Sequence, residues 1–129
     1  MRRLLPIFLL LLLMGCQSLE ERKQSMKLED TLRKYEATIR WGALDQARQF
    51  QSAAAMELPA AEPKQMRVIH YETIRGPSMV APDKAVQVVV IQYVFSSSQV
   101  VKELMDQQVW TFDQESGAWL LQSPFPEFK

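Results

Sequence analysis

The sequence predicts an α+β domain: two or three amino-terminal helices packed on a curved, cone-like four-stranded antiparallel sheet, preceded by an export signal. Three observations carry this. Apolar residues recur at helical spacing between residues 28 and 55, the chain becomes rich in β-branched and aromatic residues after Lys64, and the first fifteen residues are an apolar run behind a basic start. With 129 residues, 47% of them hydrophobic, the chain has enough for one domain around one core.

Met1-Arg2-Arg3 is a positive opening, and Leu4 to Met14 is apolar apart from Pro6. Such a run, as a helix, rises about 16 Å, roughly half the ~30 Å hydrocarbon core, which fits a signal segment and not a span. It ends in Leu13-Met14-Gly15-Cys16, which resembles the bacterial lipobox: an aliphatic residue, a tolerant position, a small residue and cysteine. The resemblance implies a lipoprotein signal over residues 1–15, diacylglyceryl transfer to the Cys16 sulfur, cleavage before Cys16 and acylation of the new amino group. Several acyl chains, at ~0.8 kcal/mol per buried methylene, hold a protein on a bilayer where one chain would not. The competing reading is an incidental cysteine behind an ordinary signal peptide. Gln17 is not the aspartate that resembles an inner-membrane retention signal, so the expected place is the periplasmic face of the outer membrane.

Cys16 is the only cysteine, so neither an intramolecular disulfide nor a multi-cysteine metal site is expected. Of 15 basic residues, Arg2 and Arg3 leave with the signal, so 13 face 15 acidic ones in the mature chain. A net charge near minus two, without a basic cluster, argues against nucleic acid as a partner. No cofactor is expected either, because four unclustered glycines build neither a phosphate loop nor a dinucleotide fingerprint.

Residues 16–26 are polar, with no apolar periodicity up to Met26, and read as a tether, partly helical where it meets the domain, which spans 27–129. Leu28, Leu32, Tyr35 and Ile39 then form the stripe of an amphipathic helix. Glu29 with Arg33 and Glu36 with Arg40 are acid-before-base pairs at i,i+4, and Gly42 is placed to end the helix. A second helix fits Ala43 to about Ala55, with Ala43, Ala47, Phe50 and Ala54 facing inward, and Pro59 and Pro63 bracket the connection that follows.

Met66 to Arg75 reads as a strand ended by Gly76-Pro77. Ala85 to Phe95 is apolar on both faces, the pattern of a covered mid-sheet strand. Ser96-Ser97-Ser98 turns into Gln99 to Phe112, long enough to imply a bend or bulge. Asp113 to Gly117 reads as a hairpin loop with Gly117 at positive φ, before a last strand over Ala118 to Gln122, and Pro124 and Pro126 stop further pairing.

This order of elements is similar to the nuclear-transport-factor-2-like superfamily, the cone-shaped α+β fold of polyketide-cyclase-like proteins and ketosteroid isomerases. Tyr35 with Ile39-Arg40-Trp41-Gly42, Gln108-Val109-Trp110, and Gly117-Ala118-Trp119-Leu120-Leu121 before Pro124 also resemble a group of small proteobacterial lipoproteins. The resemblance implies a fold and an envelope location without an activity. Sheet-mediated dimers are common in the superfamily, so a homodimer and an envelope protein are the partner expectations beside the membrane.

Two weak catalytic candidates exist. His70 and Glu72 share a strand face and read either as a base with its carboxylate or, preferably, as an exposed strand pair. Asp106 shares a face with Lys102, Leu104, Gln108 and Trp110; it is either a carboxylate in an apolar cavity, able to abstract a proton, or, preferably, turned to solvent by a bulge. Tyr35, Trp41, Trp110 and Trp119 would line a cavity if there is one and otherwise fill the core. Arg40 is expected to stack on Trp41 or pair with a carboxylate across the helix–sheet junction. With one histidine and no usable cysteine, no metal site is expected. The resulting expectation is a non-enzymatic envelope lipoprotein that binds a protein partner or a small apolar ligand. The alternatives are an isomerase-like or cyclase-like cavity enzyme and a structural accessory of an envelope assembly.

Overall fold

The computed structural model describes residues 5–41, 43–57 and 65–129, with side chains from Leu19 onward. Among the described residues, three helices and a four-stranded antiparallel open sheet form an α+β fold. Arg2, Arg3, Gly42, Pro59 and Pro63 lie outside the described residues, and the side chains of Leu13, Met14, Gly15 and Cys16 do as well.

α1 runs from Leu5 to Arg40. The segment read as a tether is therefore helical and continuous with the docked part of the helix. The predicted stripe is the face laid on the sheet: Leu28, Tyr35 and Ile39 are buried and Leu32 packs against them. Of the two predicted ion pairs only Glu36 with Arg40 forms, at 3.2 Å; Lys34 with Asp30 forms another at 2.9 Å, while Arg33 has no ionic partner among the described residues.

The expected second helix is broken. α2 covers Leu44–Ala47, a 3₁₀ turn follows over Arg48–Phe50, and α3 covers Ala53–Met56. Gln51 is extended (φ −72°, ψ 149°) and bridges Leu121 in parallel, and the Ser52 amide donates to the Leu121 carbonyl at 2.9 Å. Ser52 Oγ then accepts from the Ala55 amide at 3.2 Å, capping α3. The chain exchanges helical bonds for a sheet bond and a cap, and the inward phase slips by one, so Ala55 is buried where Ala54 was expected.

The sheet order is β1-β2-β3-β4, with β1 Met66–Ala81, β2 Lys84–Phe95, β3 Lys102–Asp113 and β4 Ala118–Leu121. Gly76-Pro77 does not end β1. Pairing resumes at Ser78 with Val86 and continues to Ala81 with Lys84. Gly76 takes φ +81°, and a Cβ there would lie 2.7 Å from the Val86 carbonyl oxygen, so glycine permits a close backbone approach. Pro77 is tolerated because β1 is an edge strand.

The irregularities also sit elsewhere than expected. β1 has four register shifts, whereas β2 and β3 pair without one from Lys84 with Thr111 to Tyr93 with Lys102. Bulges in the edge strand bend it and leave the alternation of β3 intact. β2 is central as predicted, but only one face is fully covered: Ala85, Val89, Ile91 and Tyr93 are buried, while Val86, Val88, Val90 and Val94 are half-buried on the other side. Gly117 closes the β3–β4 hairpin at φ +67°.

Candidate functional site: a buried polar cluster and a groove beside α1

Because β3 keeps its alternation, its even-numbered residues from Leu104 to Trp110 face α1. Asp106 and Gln108 are consequently buried, and Asp106 is 6% exposed, which overturns the expectation that it faces solvent. Gln108 organises the interior. Trp110 Nε1 can only donate, so the Gln108 side-chain oxygen must face it (3.1 Å), and that oxygen also accepts from Gln87 Nε2 at 2.7 Å. The Gln108 Nε2 group then donates to Asp106 Oδ2 at 2.8 Å and to the Tyr71 hydroxyl at 3.1 Å. One amide thus joins β1, β2 and β3 with its full complement of four bonds.

Asp106 does not share that balance. Burial raises its pKa to about 6, and the bond from Gln108 lowers it only in part. Burial likewise raises the Tyr71 and Tyr35 hydroxyls well above their usual range, with the Asp106 charge adding to both. The Tyr35 hydroxyl is buried with no hydrogen-bond partner among the described residues. A carboxylate and a phenol are therefore held in the interior at a cost to stability.

His70 is placed apart from this cluster. The bulge at Ile69 sets His70 opposite Gln92 and Glu72 opposite Val90, on the other sheet face. The two side chains are exposed and 3.3 Å apart, the strand-pair arrangement the sequence favoured. No base–carboxylate combination with Asp106 is available.

The four aromatic candidates divide. Tyr35, Trp110 and Trp119 are core residues; Tyr35 meets Trp110 edge-on at 5.2 Å, and Trp119 Nε1 donates to the Gln24 carbonyl at 3.0 Å. Trp41 is 87% exposed, the opposite of a core residue. It borders a groove of about 530 Å³ between the last turns of α1 and the start of β1, with Arg33, Glu36, Arg40, Val68 and Ile69. Arg40 is occupied, pairing with Glu36 in its own helix and donating from Nη2 to the Tyr71 carbonyl at 3.3 Å, so its contact across the junction is with a carbonyl and not a carboxylate. Arg33 is exposed. With Glu36 paired to Arg40, the groove offers a guanidinium without an ionic partner among the described residues, an indole and two aliphatic side chains, a combination suited to an anionic group on an apolar body.

Sequence reasoning named Trp41 and Arg40 but not the groove, whose lining includes Ile69, the residue at a register shift of β1. Gln87 and Tyr71 were also missed. Gln87 carried a signal, as a lone polar residue at an inward position of an otherwise apolar run.

Among the described residues no group of three or more histidine, cysteine, aspartate or glutamate side chains could hold a metal, and no helix is long and apolar enough to cross a membrane. Comparison with protein families, curated proteins and solved structures finds no match to this chain.

Proposed function

We propose that the protein is a lipid-anchored envelope lipoprotein, tethered through Cys16, whose α+β domain binds and does not catalyse. The order of helices and strands is compatible with the cone-like superfamily to which the sequence has its resemblance. The observation that carries the binding reading is the groove, lined by a largely exposed indole and by a guanidinium without an ionic partner among the described residues. A folded domain does not gain stability from either. Binding a small apolar ligand with an acidic group, or an acidic segment of a protein partner, would use both.

The test uses 8-anilinonaphthalene-1-sulfonate, an apolar anion, as the probe. The native domain is expected to bind it with a blue shift in emission, and Trp41→Ala combined with Arg33→Ala to lose that binding without altered circular dichroism. Equal binding by the wild type and the double variant contradicts the groove as the site.

A second reading, the cavity enzyme, is favoured by one observation: Asp106 is a buried carboxyl with a pKa near 6, suited to proton transfer near neutrality. It predicts that small apolar ketones shift the Asp106 carboxyl resonance in a titration followed by NMR. An unaltered resonance over a panel of such compounds removes it.

A further inference from the structure

The face of α1 opposite the core has a composition of its own. At 100° per residue, Leu28, Tyr35 and Ile39 cluster within about 40° around the inward direction, and Leu19, Met26, Ala37 and Trp41 fall within about 60° around the outward one. Trp41 belongs to this line because its amide still donates to the Ala37 carbonyl at 3.1 Å, continuing the helical pattern. Leu19 is 56% exposed, Met26 69% and Trp41 87%, so the fold leaves apolar side chains uncovered at both ends of this face, with Asp30, Arg33 and Lys34 between them. Flanking it are five basic side chains, Arg22, Lys23, Arg33, Lys34 and Arg40, against one acid on the same face, Asp30. Three of the five are engaged within the helix, Lys23 with Glu20, Lys34 with Asp30 and Arg40 with Glu36, while Arg22 and Arg33 have no ionic partner among the described residues. Beyond those three pairs the face keeps two cations without an ionic partner among the described residues, Arg22 and Arg33, on a chain that is slightly acidic once the signal is removed.

We infer that this outward face of α1, from Leu19 to Trp41, lies along an anionic bilayer surface. The inference rests on the anchoring proposed above and names what meets the groove. Leu19 follows Cys16 by three residues, which reach at most about 11 Å even when fully extended, so acyl chains at Cys16 hold the start of the stripe at the membrane. From there the helix continues for about 33 Å to Trp41. Leu19 and Met26 enter the interface, Arg22 and Arg33 meet lipid phosphates, and Trp41 sits at headgroup depth, where an indole has its apolar body in hydrocarbon and its N–H in water. Arg33 and Trp41, which line one groove, give it the chemistry to seat one acidic headgroup. The domain is then attached at two points, the lipid at one end of α1 and the indole at the other. The sheet face carrying Val86, Val88 and Val90 points away from the membrane.

The experiment reconstitutes the lipidated protein into phosphatidylglycerol–phosphatidylethanolamine vesicles whose acyl chains are brominated near the headgroup, and compares the wild type with Trp41→Phe. Trp110 and Trp119 are common to both, so the difference reports Trp41. The Trp41 emission is expected to be lost by quenching, to recover at high salt, and to recover in Arg22→Glu/Arg33→Glu, while flotation with the vesicles persists throughout because the acyl chains hold regardless of charge. Flotation with unquenched Trp41 emission, as a protein partner over the indole would give, overturns the proposed face and leaves the anchor standing. Failure to float overturns the anchoring itself, and the proposal with it.

Discussion

At the scale of single residues, the side chain of most consequence is Asp106, because it raises the free energy of the folded state above mildly acidic pH. Its pKa is about 6 when folded, against 3.8 for an unperturbed aspartate, so folding binds its proton. The sign follows from linkage: the stabilising contribution is fully present below pH 3.8 and is lost as pH rises through about 6. A shift of this size corresponds to at most about 3 kcal/mol, at ~1.4 kcal/mol per pKa unit. Asp113 acts oppositely, its carboxyl being lowered by the Ser116 hydroxyl first, so its contribution disappears only as pH falls below the usual aspartate range. Asp106→Asn is therefore expected to be more stable than the wild type at pH 7, and about equal to it near pH 4, in urea denaturation. An advantage that does not depend on pH would contradict the assignment. Gln108→Leu should act the other way, costing roughly 3 kcal/mol or more, because Trp110, Tyr71, Gln87 and Asp106 all lose a partner inside the core.

At the scale of elements, the α1 stripe was legible because periodicity alone decides it, while β2 read as covered on both faces although only one is fully buried. Gln108 and Asp106 could be placed on the face of Trp110, yet whether that face was inside turned on where the bulge fell. A long strand pattern does not say which strand of a pair takes the extra residue; the edge strand did, because an unpaired group there remains in water. The broken second helix was illegible for a similar reason. Its sequence is alanine-rich and locally helical, and the break is made by a sheet bond to Leu121, seventy residues away from Gln51. Two substitutions probe these elements. Ser52→Ala removes the cap of α3 and should cost about 1 kcal/mol in thermal or chemical denaturation. Gly76→Ala should cost more, since both the positive φ and the 2.7 Å approach to the Val86 carbonyl exclude a side chain; stability equal to the wild type would show that β1 is not held at that point.

At the scale of the whole molecule, one helix spans the sheet. Gln24 accepts from Trp119, Lys27 donates to the Gly117 carbonyl at 3.4 Å, and Arg40 reaches Tyr71, so α1 crosses from β4 to the opposite edge of the sheet. The domain class and a four-stranded antiparallel sheet were readable in the sequence, but the union of tether and domain helix was not. A polar stretch with no apolar stripe looks like a linker whether or not its backbone is helical. The central claim is that the mature chain begins at a lipidated Cys16, since the location, the orientation and the use of the groove all depend on it. Intact mass spectrometry of the protein taken from its native membranes tests this directly. The expected result is an amino-terminal peptide that starts at Cys16 and carries the mass of three acyl chains. A mature chain with a free Cys16 thiol, or one that retains residues ahead of it, would contradict the account.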